Sequence, residues 1–411
     1  MSDFDTKLDR LAALAVRVGL NLRPGQEVVM TASTDTLPLA RRIVEQAYAA
    51  GATLVTPILS DDAMSLARYA HARDEAAFDV APGWLFEGMA KAFAAGAARL
   101  AVVGEDPTLL AGQDPAKVAR ANRARSKAYR PALELITSFA INWNLVPAAT
   151  PGWARQVFPG LPAEQAQAAL WEAIFAACRV DAGDPVAEWA RHNATLHART
   201  RFLNDRNFRE LRYRGPGTEL TVGLADGHLW AGGAEPAKNG IVCNPNIPTE
   251  EVFTTPHMLR VEGHVVATKP LAYQGTMIEG IRVRFEAGAI VEAQADRGQD
   301  VLRKVLDTDA GARRLGEVAL VPHSSPISAS GLLFRNTLFD ENAASHIALG
   351  QAYTTCLRDA AGLDADGLAA RGANASLIHI DWMIGSGAID IDGVAQDGTV
   401  APLMRAGEFV A

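Results

Sequence analysis

Residues 26–59 read QEVVMTASTDTLPLARRIVEQAYAAGATLVTPIL. Gln26–Ala32 is an apolar, β-branched run that follows the Pro24-Gly25 turn and reads as a strand. PLARRIVEQAYAA, residues 38–50, reads as a helix that stops at Gly51, with Asp35 placed to cap it. Ala52–Leu59 is then a buried strand. Strand, helix and strand in this order form a crossover unit, which pairs its strands in parallel and lays helices on the sheet.

The same rhythm extends to both sides. Phe4, Leu8, Leu11, Ala15 and Val18 share one helical face. Downstream, GMAKAFAAGAA (88–98) leads into RLAVVGED (99–106), a second helix-to-strand step. A long basic helix around Ala116–Leu135 precedes the apolar strand FAINWNLV (139–146). Helices follow around Ala163–Cys178 and Pro185–Asn204. From about Phe208 the texture changes. RELRYRGPGTELTVGL (209–224) alternates around a Gly-Pro-Gly turn and reads as a hairpin. GHVVATKPL and GIRVRFEAGAIVEAQA add strands, and Gln299–Leu306 a short helix. The fold class expected is an α/β N-terminal domain with a parallel sheet, residues 1–200, followed by an α+β C-terminal domain with largely antiparallel strands, residues 201–411.

Composition narrows the function. The chain has 411 residues, 49% of them apolar, enough for two domains with substantial cores. A net charge of -8 argues against a general nucleic-acid binder, which carries a basic stripe. Cys178, Cys243 and Cys356 are odd in number and far apart, so buried thiols are expected rather than a disulfide framework. The N-terminus, MSDFDTKLDRLAALAVRVGL, lacks the basic start and apolar core of a signal peptide, and no run reaches the ~20 apolar residues of a membrane span. A cytoplasmic protein without membrane contact is the expectation. The N-terminal half has neither G-x-G-x-x-G nor G-x-x-x-x-G-K-[ST], although open parallel sheets also bind ligands without them. No G-x-S-x-G phrase supports a serine hydrolase.

The chemistry-bearing residues lie in the second half. A helix is expected to begin near Asp340, its cap, and to place His346 and Tyr353 two turns apart on one face. A core histidine with a half-buried tyrosine fits that pattern equally. SLIHIDWMIGS (376–386) alternates as a strand, with His379 and Asp381 on one side and Ile378 and Ile380 on the other. A buried His and Asp need partners, and either a mutual hydrogen bond or a metal ion supplies them. Glu317 sits where a helix is expected to pass into the apolar strand of GARRLGEVALV. Glu250 and Glu251 are adjacent, so on a strand they face opposite ways. Glu341 reads equally as a first-turn helix carboxylate. The other seven histidines read as structural or exposed; His192 and His197, five apart, have poor ligand spacing. Imidazole nitrogens with carboxylate oxygens suit zinc, cobalt and manganese, and two bridged cations can activate water and polarise a carbonyl.

Four phrases then become recognisable. NIPTEEVFTTP (246–256), GARRLGEVALVP (311–322), NTLFDENAASHIALGQAY (336–353) and IHIDWMIGS (378–386) resemble the thermophilic-type metallo-aminopeptidase family. The resemblance runs over nearly the whole chain. It implies a hydrolase that releases N-terminal amino acids from peptides through a dinuclear metal site and a bridging water. It further implies two divalent ions, zinc or cobalt foremost with manganese or magnesium also compatible, and a homodimer acting on peptides with a free N-terminus. Carried onto this sequence, it implies Glu251, Glu317, Glu341, His346, His379 and Asp381 as metal ligands, with Glu317 bridging and Glu341 the weaker candidate. Glu251 is favoured over Glu250 as the ligand. Tyr353 is the expected oxyanion donor, and Glu250, Glu251 and Glu341 remain alternatives for the general base.

Overall fold

Alternation fails in β1 (Glu27–Ser33) because both of its faces are covered: Val28, Val29 and Met30 are all buried. That is the signature of an inner strand of a parallel sheet. β2 (Leu54–Ser60) and β3 (Ala98–Val103) flank it, and β4 (Trp143–Pro147) lies beyond β3. All pairings are parallel, in the order β2-β1-β3-β4. α1 (Asp3–Leu14), α2 (Leu37–Ala49), α3 (Asp62–His71), α4 (Gly83–Ala94) and α5 (Pro115–Thr137) alternate with these strands. α6 (Pro151–Val157) and α7 (Ala163–Ala177) follow, and α8 (Pro185–Arg206) runs on past them. The computed structural model describes residues 2–273 and 276–410. It divides into two units, one running to Arg191 and including Ala234–Pro248, the other comprising His192–Gly233 and the chain from Thr249.

Two local expectations for the first unit need correction. β2 is not buried: Leu54 is 46% exposed and Leu59 49%. It is one edge of the sheet, and α3, the next element along the chain, buries none of its residues. Asp35 does not cap α2 either. It lies inside a 3₁₀ turn, Thr34–Thr36, and Thr36 is the capping position.

The second unit is built on antiparallel pairing. β5 (Glu210–Gly215) and β6 (Thr218–Leu224) form the expected hairpin. The chain then returns to the first unit with the two-residue strands β7 (Glu235–Pro236) and β8 (Val242–Cys243). β9 (Val252–Thr254), β10 (Pro256–Val266), the small pair β11 (Leu271–Tyr273) and β12 (Thr276–Ile278), β13 (Arg282–Glu286) and β14 (Ala289–Gln294) follow. After α9 (Gln299–Leu306) come β15 (Leu315–Leu320), β16 (His346–Gly350), β17 (His379–Met383), β18 (Asp390–Val394), β19 (Val400–Arg405) and β20 (Glu408–Phe409). One eight-stranded sheet has the order β14-β13-β10-β6-β5-β18-β19-β20, and a four-stranded sheet the order β17-β16-β15-β9. Their shared core includes Phe208, Tyr213, Trp230, Phe285, Ile347 and Trp382.

The four-stranded sheet corrects the reading of the His346 segment. No helix runs from Asp340 to Tyr353. α10 (Pro326–Ala329) and α11 (Thr337–Asp340) are short, Glu341–Ala343 is a 3₁₀ turn, and Ala344 is extended. His346–Gly350 is a strand paired on both sides and wholly buried. Two hydrogen-bonded neighbours outweigh the helix propensity of ENAASHIALGQA, which sequence periodicity alone cannot foresee. Asp340 is the last residue of α11 rather than its cap. Its buried carboxylate accepts from the backbone of Phe334 and Asn336, and Asn336 is the capping residue. Glu317 likewise lies within β15, not at a helix-strand junction. Glu250 and Glu251 stand in irregular backbone just before β9, so strand parity does not govern them.

Gly350 closes β16 opposite His379 with a φ of 101°. A Cβ there would meet the Ile378 carbonyl oxygen at 2.1 Å, backbone that cannot swing aside. Gly350→Ala is therefore expected to destabilise the protein by on the order of 1–3 kcal/mol from the backbone conformation alone, and more from the clash. Denaturant unfolding measures this; a stability change below about 0.5 kcal/mol, the range of a neutral surface substitution, would refute it.

Candidate metal centre

Register explains how one sheet face gathers the chemistry. Directly opposed residues of antiparallel strands share a face. Glu317 of β15 pairs with Ala348 of β16, which pairs with Asp381 of β17. One step away His379 faces Gly350, and His346 faces Ala319 and Met383. His346, Ala348 and Gly350 alternate along β16, so Glu317, His346, His379 and Asp381 all project from the same face. The middle strand contributes only Ala348 and Gly350 between them, which leaves the face open. Ile347, Leu349, Ile380 and Trp382 point the other way into the core. A register irregularity between Leu315 and Glu317, at Gly316, re-aims the start of β15. Glu251 arrives from the lead-in to β9, the neighbour of β15.

The distances are those of a tight cluster. His346 Nε2 lies 3.2 Å from Glu251 and 4.0 Å from both Glu317 and Asp381. His379 Nε2 lies 3.1 Å from Glu317 and 3.5 Å from Asp381. Among the described residues, two groups have ligand atoms close enough to share an ion: Glu251, Glu317 and His346, and Glu317, His379 and Asp381. Glu317 is common to both. Each imidazole is oriented through its other nitrogen. His379 Nδ1 is 2.8 Å from the Gln351 carbonyl and His346 Nδ1 is 3.2 Å from that of Ala344. A donated Nδ1–H in each case leaves Nε2 facing the carboxylates and available as a ligand atom, the outer support that metal-binding histidines usually have.

The electrostatics test whether cations fit. Glu251, Glu317, Glu341 and Asp381 crowd the site against two imidazoles. Burial pushes Glu317 up to about 7, helped by Glu251 and Asp381 and opposed by the His379 hydrogen bond. Burial and then the charges of Glu251 and Asp381 hold Glu341 well above the usual carboxylate range. Burial alone would lower both histidines, but their carboxylate partners win, raising His346 to about 10 and His379 to about 11. Asp381 is held below its ordinary value because its hydrogen bond to His379 and the two imidazoles outweigh burial. The signs follow from linkage. The histidine pairings stabilise fully below about 6.5 and are lost as pH rises through 10–11, whereas ionising Glu317 costs stability as pH rises from 4.5 through 7. A site that must hold protons to offset its own negative charge is chemically suited to divalent cations, and N/O donors suit zinc, cobalt and manganese.

The remaining candidates fall around this centre. Tyr353 is not on a helix with His346 but in the loop after β16, its ring 4.7 Å from that of His379. Crowding at the phenol and then the charges of Glu317 and Asp381 keep it protonated well above its ordinary range, although the residue as a whole is 43% exposed. Glu341 belongs to neither ligand group. Glu250 is also outside both; its carboxylate is 3.8 Å from His192 Nε2, which lies 2.7 Å from the Thr249 carbonyl. His192, set aside on spacing, is thus buried against the Glu250 segment. Spacing within one helix could not reveal a partner 58 residues away. A cavity of about 210 Å³ adjoins the cluster, bounded by Glu341, His379 and Asp381 and walled by Leu271, Tyr273 and Met383.

Comparison with known proteins identifies the family. Residues 4–409 match the model of the family described as thermophilic metalloprotease (M29). The chain is 56% identical to "Aminopeptidase T" of Thermus aquaticus over 410 residues, covering 100% of both chains. It is 44% identical to "Aminopeptidase 2" of Geobacillus stearothermophilus, covering 100% of this chain and 99% of the other. A solved structure described as wild-type AmpT from Thermus thermophilus superposes with a TM-score of 0.94 at 55% identity, over 99% of this chain and 100% of that one. The chain belongs to the thermophilic metalloprotease (M29) family and is an enzyme of it, a peptide-hydrolysing metallo-aminopeptidase.

Proposed function

We propose that this enzyme releases N-terminal amino acids from peptides at a two-cation centre held by Glu251, Glu317, His346, His379 and Asp381, with Glu341 beside it. The observation that carries the reading is Glu317, shared by two candidate ligand groups at one sheet face. Divalent cations there, zinc or cobalt before manganese or magnesium, would polarise a peptide carbonyl and supply an activated water at neutral pH.

The protein's own groups account for the rest. The α-amine of a free N-terminus would meet one cation as a neutral ligand or a carboxylate left uncoordinated. The cavity beside His379 and Asp381 takes the first side chain. Glu251 is engaged by His346, and Glu250 faces His192. Glu341, which stands outside both ligand groups, is therefore our choice to receive a proton from the attacking water and return it to the leaving amine. The Tyr353 hydroxyl donates to the oxyanion that forms on the scissile carbonyl. We further propose a homodimer in the cytoplasm. The exposed apolar residues of β2 offer a face for a second copy, and the three cysteines, all buried with no disulfide among the described residues, suit a reducing compartment. No helix among the described residues is long and apolar enough to cross a membrane.

Chelation is expected to abolish hydrolysis of an aminoacyl anilide and added cobalt(II) or zinc(II) to restore it, while the N-acetylated anilide stays intact. Turnover after thorough chelation, or equal cleavage of the acetylated compound, would contradict the reading. Glu317→Gln should lose both bound metal and activity. Tyr353→Phe should keep its metal and lose turnover by ~100-fold or more, the range for one oxyanion donor; equal metal loss in the two variants would instead make Tyr353 a ligand. Cation binding must displace the protons held by His346, His379 and Glu317, so affinity should rise between pH 6 and 8. Calorimetry in buffers of different ionisation enthalpy should show net proton release at pH 7, and zero release would count against the proposed ligand set.

A further inference from the structure

The Glu250-Glu251 segment poses a structural problem. It precedes β9, so the Glu250 backbone N–H has no ladder partner. Buried backbone donors nevertheless need an acceptor. Asn342, fully buried, supplies one: its Oδ1 accepts from Glu250 N at 2.7 Å across 92 residues of sequence. Its Nδ2 donates to the Leu338 carbonyl at 3.0 Å and reaches Glu341 Oε1 at 3.5 Å. Its own carbonyl accepts from the Ser325 hydroxyl at 3.2 Å. One amide thus joins the backbone before Glu251 to the turn that carries Glu341.

We propose that Asn342 is a positioning residue for the metal centre, fixing Glu251 relative to Glu341 through its bonds to Glu250 N and Glu341 Oε1. The inference rests on the two-cation reading above. It concerns where the carboxylates stand rather than whether ions bind. On the other side of Glu251, Val252 is already set by pairing with Leu320. The Asn342 bond is thus the second anchor of a short irregular stretch whose side chain reaches His346. The amide suits both tasks at once, with an acceptor for the Glu250 N–H and a donor for the Glu341 carboxylate. Aspartate offers no donor and adds another buried negative charge, and a small side chain removes the acceptor that Glu250 N meets.

The test titrates metal-free wild-type, Asn342→Ala and Asn342→Ser proteins with cobalt(II), without substrate, following heat and the visible absorption of the bound ion. Both variants are expected to bind cobalt at least ~10-fold more weakly, the effect of losing an outer-shell support, with an altered absorption spectrum. At saturating metal they should show reduced kcat with KM within about threefold. A merely structural role would lower the melting temperature while leaving the folded fraction with wild-type affinity, spectrum and kcat, and that result overturns the proposal. If Asn342→Ala does not fold, Asn342→Ser decides on the same criteria. Wild-type protein that binds no cobalt would instead overturn the two-cation reading itself, so the two failures are distinguishable.

Discussion

Four carboxylates crowded against two imidazoles, with Glu317, His346, His379 and Asp381 on one sheet face and Glu251 and Glu341 beside it, is the constraint around which the second unit is arranged. Such a concentration of negative charge is costly to desolvate unless protons or cations offset it. The protein meets that cost with structure. β15, β16 and β17 are held in register by backbone pairing, and their opposite face is locked into the core by Ile347, Leu349, Ile380 and Trp382. The side chains of Glu317, His346, His379 and Asp381 therefore come from rigid elements, and the Nδ1 atoms of His379 and His346 are tied to the backbone carbonyls of Gln351 and Ala344. A site built this way is preorganised, which suits chemistry that depends on the placement of charge.

Small residues matter as much as charged ones. Ala348 and Gly350 separate the projecting side chains along the middle strand, where anything larger would fill the space between Glu317, His346, His379 and Asp381. Gly350 combines this with a left-handed backbone conformation and close approach to Ile378. The glycine at 316, between Leu315 and Glu317, packs where a Cβ would meet the Gln351 carbonyl at 2.3 Å. Backbone permissiveness and ligand geometry are therefore coupled in one stretch of sheet.

Much of this was legible in the sequence. The strand-helix-strand rhythm from Gln26 onward gave a parallel sheet, the Gly-Pro-Gly turn gave the β5-β6 hairpin, and the limits of α9 were read to the residue. His379 and Asp381 share a side because strand parity is local information. What depended on distant partners was not legible. His346 sits in a strand because β15 and β17 flank it, although its neighbours favour helix. β2 ends the sheet and is left largely exposed, whereas β4 at the other edge is largely buried, a difference its apolar composition does not announce. The pairings of Glu250 with His192 and with Asn342 join segments 58 and 92 residues apart, and no spacing rule reaches that far.

The central claim is that Glu317 stands between two cations. Crystals of the metal-free protein soaked in cobalt(II) and measured at the cobalt absorption edge would test it most directly. The account predicts two anomalous peaks per chain, about 3.5–4 Å apart as in other two-metal hydrolases, one beside Glu251 and His346, the other beside His379 and Asp381, with Glu317 reaching both. A single peak, or peaks away from this sheet face, would contradict it.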